Sequence, residues 1–476
     1  MTAVQEYRPA EHHFFESAGG EFLYLVPSGA VFGLDGLSKE IFHLLEQQTL
    51  SREALIGTLI GRGYRLDEIE STLHDMEYYD AVVSGNPKTK FPPLPAAEFP
   101  LQRIVLNVTN QCNLACGYCY EYSDDKIAKP QDKPKYMSNE VAEAAIDTLI
   151  RESAGRPKLH VTFFGGETLL NFPMLQQSVD YANRKAGALG KRVDYSLTTN
   201  ATLLTEEIVD FLAEHRVGVT VSIDGDKELH DRMRVFHNGA GSYDIIAPKI
   251  KMLLKRHRTN SIGARVTLSS QVREVRRIYN HLTQELGFQG VGFSPATANP
   301  DRLYAIGNQK MDDVVDQFEE LAWDYRDYAL KGGQHYFTNV SDTLKELHSG
   351  ISKAYTCGAG LGLLGVGTSG DIAVCHRFVD SPVAQMGNVM KDGVDHVKRR
   401  DFLEHHHVGA RPDCHTCWVR PICAGGCYHE SFIHTGNTAA SNLHQCDRVR
   451  SWIGTCLKIY GEISVHNPKF LERFED

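Results

Sequence analysis

Cys112, Cys116 and Cys119 lie in one short stretch, Cys-Asn-Leu-Ala-Cys-Gly-Tyr-Cys, separated by three and then two residues. Thiolates this close together suit soft metals and iron–sulfur clusters. A four-iron cluster held by four cysteines has every iron capped; three cysteines leave one iron open to an exchangeable ligand. The alternatives are a zinc site or a chance group of buried thiols. Seven more cysteines return late in the chain. Cys357 and Cys375 flank Gly370, and Cys414, Cys417, Cys423 and Cys427 follow with gaps of two, five and three residues before Cys446. A zinc ribbon would use only the Cys414 and Cys417 pair plus two others. Cys456 alone stands apart, in an amphipathic run, 449–463, that predicts a buried helical position.

These groups need elements to hold them. The β-branched run 104–109, directly before Cys112, reads as a buried strand. Strands are expected at 103–109, 158–164, 192–198, 218–223, 262–268 and 290–294, with amphipathic helices at 139–152, 205–214, 243–255 and 272–286. Six βα units imply a parallel sheet curved into a partial barrel, an α/β fold whose chemistry collects at the carboxyl ends of the strands. The polar motifs fall at that end. Gly165, Gly166 and Glu167 follow the second strand; glycines admit a close backbone approach, and an acceptor-only carboxylate can bind an ammonium group. Thr198, Thr199 and Asn200 end the third strand and offer polar contacts or a helix N-cap. The fourth ends in Ser222, Ile223, Asp224 and Gly225, with His230, Asp231 and Arg234 beyond. Asp224 is a candidate catalytic base, or else a satisfied structural aspartate.

The flanks differ in character. In residues 1–84, strands near 13–17, 22–26 and 30–34 precede three helices, with Ser38, Ser51 and Asp67 marking the helix starts. Prolines 87, 92, 93, 95 and 100 make 85–100 a semi-rigid linker. The barrel is expected over 101–330, with a closing helix at 311–330 and a bridge at 331–349. A cysteine-rich domain over 350–448 and a C-terminal helix over 449–476 follow. Fifty basic against sixty acidic residues give a formal charge of −10 with no long basic run, which argues against a nucleic-acid partner. No apolar run approaches membrane-spanning length and no signal-like start is present, so no membrane partner and a cytoplasmic location are expected.

The motifs together resemble the radical S-adenosylmethionine (SAM) enzymes, a family of partial (β/α)6 barrels. That resemblance implies that the open iron of the Cys112, Cys116 and Cys119 cluster chelates SAM. Gly165, Gly166 and Glu167 would hold its amino group, and Thr199 and Asn200 would lie near its ribose and carboxylate. Tyr118, Ser222 and Arg234 would complete the cofactor contacts, Arg234 pairing with the carboxylate and Arg265 being a second candidate. The late cysteines match the SPASM pattern of peptide-modifying members, which carries auxiliary clusters. The family's scheme implies Cys414, Cys417, Cys423 and Cys446 on one cluster and Cys357, Cys375 and Cys427 on another, three iron–sulfur clusters in all. The last trio lacks a fourth cysteine, and its open iron could take a substrate thiol. The N-terminal module resembles PqqD-like winged-helix domains, which bind a peptide's leader segment. Phe-Phe-Gly-Gly-Glu-Thr-Leu-Leu from Phe163 and Cys-His-Thr-Cys-Trp-Val-Arg-Pro-Ile-Cys from Cys414 are similar to the maturases of quinohemoprotein amine dehydrogenases. Such enzymes join cysteine sulfur to Asp or Glu methylene carbons in the dehydrogenase's small γ subunit. The resemblance thus implies a peptide substrate and an electron donor such as flavodoxin or ferredoxin.

Overall fold

A computed structural model describes residues 6–84, 91–95, 99–121, 125–128 and 132–475, without the side chain of residue 444. The expected linker therefore lies largely outside the described residues.

The N-terminal part holds β1 (Glu6–Pro9), β2 (His12–Ser17), β3 (Gly20–Leu25), β4 (Ala30–Gly33), α1 (Gly36–Gln47), β5 (Leu50–Ser51), α2 (Arg52–Gly61), α3 (Leu66–Tyr78) and β6 (Val82–Ser84). β2, β3 and β4 form an antiparallel meander, while β1 pairs with β5 and β6. Ser51 caps α2 as its position predicts, accepting from Ala54 N at 3.2 Å. The cap of α1 is Asp35 rather than Ser38: its carboxylate accepts from the Ser38 N–H at 2.7 Å. α3 starts at Leu66, one residue before the expected start at Asp67, which lies in its first turn. β3 is buried on both faces, and the period of two sorts its side chains between two cores. Leu23 and Leu25 pack with Ile41, Leu55 and Leu73 of the local helices. Phe22 and Tyr24 join the main core, where a Cβ on Gly461 would meet the Phe22 ring at 2.9 Å.

The barrel follows: β7 (Arg103–Asn107), α4 (Asn139–Glu152), β8 (Lys158–Phe164), α5 (Phe172–Gly187), β9 (Arg192–Thr199), α6 (Glu206–Glu214), β10 (Gly218–Ser222), α7 (Lys227–His230), α8 (Tyr243–Arg256), β11 (Ile262–Leu268), α9 (Val275–Asn280) and β12 (Val291–Pro295). All six expected strands are present and parallel. The helix expected at 272–286 is shorter, with α9 running into a single π turn over His281–Glu285. Outward positions such as Val193, Leu197, Val219, Val221 and Val266 are buried against the helices. Alternate inward positions carry Thr198, Thr220, Ser222 and Thr267, which line a central cavity. This alternation makes the barrel polar inside.

Two long helices, α10 (Asn308–Leu330) and α11 (Thr338–His348), lead into the cysteine-rich part. There β13 (Leu363–Val366), β14 (Asp371–Ala373), β15 (Gln385–Asn388) and β16 (Gly393–Val394) precede α12 (His396–His406), α13 (Arg420–Cys423), α14 (Tyr428–Thr435) and α15 (Leu443–His466). Sequence reasoning did not foresee that β13 pairs in parallel with β7, Leu364 opposite Ile104. The result is one ten-stranded sheet, β12-β11-β10-β9-β8-β7-β13-β14-β15-β16. The edge of the barrel is thereby covered, and the loop bearing Cys375 is carried to the barrel mouth.

Candidate functional site

A cavity of about 530 Å³ opens at the carboxyl ends of the barrel strands. Cys112, Cys116 and Cys119 line one side of it, with Tyr118, Gly165, Gly166, Glu167, Thr199, Asn200, Ser222 and Arg234. The three-cysteine loop is pinned to the 233–236 segment: Ala115 N donates to Val235 O at 2.8 Å and Gly117 N to Met233 O at 3.2 Å. One backbone pairing thus delivers both the thiols and Arg234 to the same wall. The two glycines serve the loop directly. Gly165 has φ +127°, and a Cβ there would fall 2.4 Å from Thr109 O. Gly166 N donates to that same carbonyl at 2.9 Å, and Glu167 N to Gln111 O at 2.9 Å.

Glu167 ties three strand ends together. Its Oε1 accepts from Thr199 Oγ1 at 2.6 Å and Leu169 N at 3.1 Å, and its Oε2 from Asn200 N at 2.7 Å. Burial pushes its pKa up, against the pull of these three donors. One acceptor position on Oε2 remains for a ligand donor. Asn200 donates to Asn113 Oδ1 at 2.9 Å inside the cysteine loop, while its Oδ1 accepts from Thr202 Oγ1 at 2.6 Å. Neither Thr199 nor Asn200 caps a helix; that place goes to Thr205, which accepts from Ile208 N at 3.3 Å.

Asp224 does not line the cavity and is fully buried. It accepts from Arg234 Nε at 2.8 Å, Arg234 Nη2 at 3.2 Å, Thr267 N at 2.9 Å and the Tyr118 hydroxyl. With every acceptor position engaged behind the wall, this geometry suits a positioning residue for Arg234 and not a base. Arg234 also stacks over Tyr118, 5.4 Å from the ring centroid, and reaches the Cys116 thiol. Burial acts to lower its pKa, but Asp224, Tyr118 and Cys116 hold it above the ordinary guanidinium value.

Of the opposite wall, sequence reasoning named only Arg265, as a second candidate for the cofactor's carboxylate. That wall carries Tyr120, Glu121, Arg265, Ser294, Thr297, His376 and Arg377. Strand alternation marks Ser294 and Arg265 as inward, but nothing in the sequence marks Arg377. Arg377 Nη1 donates to Thr297 Oγ1 at 2.8 Å, and its guanidinium lies 5.0 Å from the Tyr120 ring centroid. Just behind lie Cys357, Cys375 and Cys427, close enough that Cys357 and Cys427 help raise the Cys375 thiol, which burial pushes up to about 12. Cys414, Cys417, Cys423 and Cys446 line a second, smaller cavity. There burial pushes Cys423 up to about 11, with help from the other three. Cys427 lines this cavity as well, so it lies between the quartet and the Cys357 and Cys375 pair. Cys456 is fully buried in α15.

The residues fit iron–sulfur groups. Burial also pushes Cys112 up to about 12, and buried thiols of this kind become thiolates when a metal coordinates them. Among the described residues, no three His, Cys, Asp or Glu side chains converge on a point suited to a single metal ion. Three or more thiols per group is the donor set that an iron–sulfur cluster takes. Among the described residues no helix is long and apolar enough to cross a membrane.

Residues 106–282 match the Radical SAM superfamily model. The chain is 38% identical over 159 residues to a serine-type anaerobic sulfatase-maturating enzyme of Bacteroides thetaiotaomicron, covering 33% of this chain and 37% of that one. It therefore spans well under half the length of that relative. It is 25% identical over 345 residues to a cysteine-type anaerobic sulfatase-maturating enzyme of Clostridium perfringens, covering 69% and 89% of the two chains. The structure of anSMEcpe with bound AdoMet and Kp18Cys peptide superposes with a TM-score of 0.63 at 18% identity, over 79% of this chain and 99% of that one. The superfamily binds SAM and a four-iron cluster. The family match thus covers the barrel segment that carries the three-cysteine loop, well under half of the chain, and these two curated relatives are sulfatase-maturating enzymes.

Proposed function

We propose that the chain is a radical SAM peptide maturase that forms thioether bonds between cysteine sulfur and Asp or Glu methylene carbons, with the γ subunit of a quinohemoprotein amine dehydrogenase as substrate. One observation carries the reading: a single cavity has the Cys112, Cys116 and Cys119 loop on one wall and, on the other, the His376–Arg377 segment that follows Cys375. A peptide in that space would meet the first thiol group directly and the segment next to Cys375 on the far side. Cys112, Cys116 and Cys119 would hold the SAM-binding cluster, Cys357, Cys375 and Cys427 the nearer auxiliary cluster, and Cys414, Cys417, Cys423 and Cys446 the farther one. When bound, SAM and the clusters supply a 5'-deoxyadenosyl radical that takes one methylene hydrogen, and an acceptor for the electron left over as the thiol loses its proton and the C–S bond forms. A flavodoxin- or ferredoxin-type donor provides the reducing equivalent.

The protein's own residues position and exclude. Arg234, held by Asp224 and Tyr118, presents its guanidinium to the SAM carboxylate, and the free position on Glu167 takes the SAM ammonium. Ser222 and Thr199 line the floor beneath. The polar barrel interior keeps the adenosyl group fixed relative to the peptide, which is where most of the rate advantage of such a site lies. The N-terminal module would hold the peptide's leader, as its resemblance to PqqD-like domains implies. The Cys116→Ala variant is expected to lose SAM cleavage altogether. Cys423→Ala is expected to keep some cleavage and lose crosslinking, and full crosslinking by it would contradict the electron-relay role. Formylglycine formation is a second reading, favoured by the sulfatase-maturating relative that aligns over 69% of this chain. The two differ in product, since a thioether keeps the substrate sulfur and formylglycine made from cysteine discards it.

A further inference from the structure

Arg265 rises from the middle of the sheet, between Ser222 on β10 and Gly292 on β12. It projects into the barrel cavity, where its side chain stays open to the cavity although protein surrounds it. Among the described residues it makes no hydrogen bond and no ion pair. Burial and the neighbouring Arg377 act to lower its pKa, while Asp342 and Glu430 oppose them from a distance. Glu430 is itself engaged by Thr297 at 3.3 Å. A guanidinium open to the cavity and without a protein partner is free to take a ligand's acceptor atoms. Arg377 shares the cavity and uses only Nη1 toward Thr297 and His429, at 2.8 and 3.5 Å. Two cations therefore face one space.

Their place separates them from the cofactor's carboxylate. Arg234 stands beside Cys116, on the wall of the three-cysteine loop. Arg265 and Arg377 stand on the other wall, and the cysteines that act on Arg377 are Cys427 and Cys375. We propose that Arg265 and Arg377 form the subsite that takes the carboxylate of the substrate side chain being modified. This rests on the reading of Asp and Glu as targets. Planar forks of donors match a carboxylate in a way one lysine could not. Anchoring the carboxylate there holds the neighbouring methylene between the radical source and the Cys357, Cys375 and Cys427 trio, and gives the enzyme a reason to choose acidic side chains.

The test uses the iron-loaded enzyme and two γ-subunit polypeptides, one native and one with the target Asp and Glu changed to Asn and Gln. Binding is followed by fluorescence anisotropy in the presence of SAM. The wild type is expected to bind the native polypeptide about tenfold or more tightly than the amide form, the worth of one hydrogen bond to a charged group. Arg265→Gln and Arg377→Gln should erase most of that difference while leaving SAM affinity unchanged, and Arg265→Lys should restore part of it. Equal binding of the two polypeptides by the wild type would overturn the subsite, and so would a loss of SAM affinity in Arg265→Gln. The amide polypeptide probes the unaltered enzyme, so a variant that fails to fold leaves the decision intact. If the wild type does not crosslink the native polypeptide, the proposed function falls and the subsite with it. If it crosslinks without discriminating, only the subsite falls.

Discussion

Replacing Asp224 separates a positioning residue from a catalytic base. The side chain is fully buried and accepts four bonds, two from Arg234 and one each from Tyr118 and Thr267 N. Arg234 is only 7% exposed, so Asp224→Ala strands a buried guanidinium. Breaking a buried pair by removing one partner costs about 3–5 kcal/mol. Asp224→Asn keeps the shape and two acceptor positions but not the charge, and should cost less, about 1–3 kcal/mol. Urea denaturation of the anaerobically loaded protein measures both. With Arg234 loosened, SAM affinity measured by calorimetry should fall about tenfold or more in each variant. The reasoning is refuted if Asp224→Ala stays within about 0.5 kcal/mol of wild type, the range of an ordinary surface change. It is equally refuted if Asp224→Asn keeps stability and SAM affinity yet loses hydrogen abstraction, the signature of a base.

Other parts of the structure make their own predictions. Gly165→Ala should displace the three-cysteine loop, because φ +127° and a Cβ 2.4 Å from Thr109 O leave no room; about 1–3 kcal/mol of stability and much of the first cluster's iron should be lost. Glu11 forms an ion pair with Arg420, which is 3% exposed and donates to Cys417 O at 3.3 Å. Glu11→Ala should therefore speed chelator removal of iron from the Cys414, Cys417, Cys423 and Cys446 group, with SAM cleavage kept. His230 is held neutral: its Nε2 contacts Ser242 Oγ at 2.9 Å, and burial lowers its pKa to about 3. Because the unfolded imidazole titrates near 6.5, its contribution is complete above that pH and is lost as pH falls from about 6.5 toward 3. Between pH 6 and 5, wild-type stability should therefore fall more steeply than that of His230→Gln, by about 1 kcal/mol per pH unit.

The sequence made the barrel legible because its strands obey strict alternation. Val219 and Val221 face helices while Thr220 and Ser222 face the cavity, and a period of two is readable without knowing the fold. The grouping of Cys357, Cys375 and Cys427 apart from Cys414, Cys417, Cys423 and Cys446 came from the resemblance, since spacing alone does not pair cysteines across seventy residues of chain. What stayed hidden depends on tertiary approach. Arg377 lines the barrel cavity because β13 pairs with β7, and a four-residue strand in a glycine-rich loop carries too little pattern to announce that pairing. Asp224 looked equally like a base and a structural acid, and it is the position of Arg234 ten residues later that favours the second reading. Local caps erred for a related reason: Asp35 and Ser38 both suit an N-cap, and the backbone chose the earlier one.

The most direct measurement is the mass of the γ-subunit polypeptide after incubation with iron-loaded enzyme, SAM and a one-electron reductant. Each thioether removes two hydrogens, so the account predicts a loss of about 2 Da per bond with all sulfur retained and the crosslinked cysteines no longer alkylated. An unchanged mass, or a product that has lost cysteine sulfur, would contradict it.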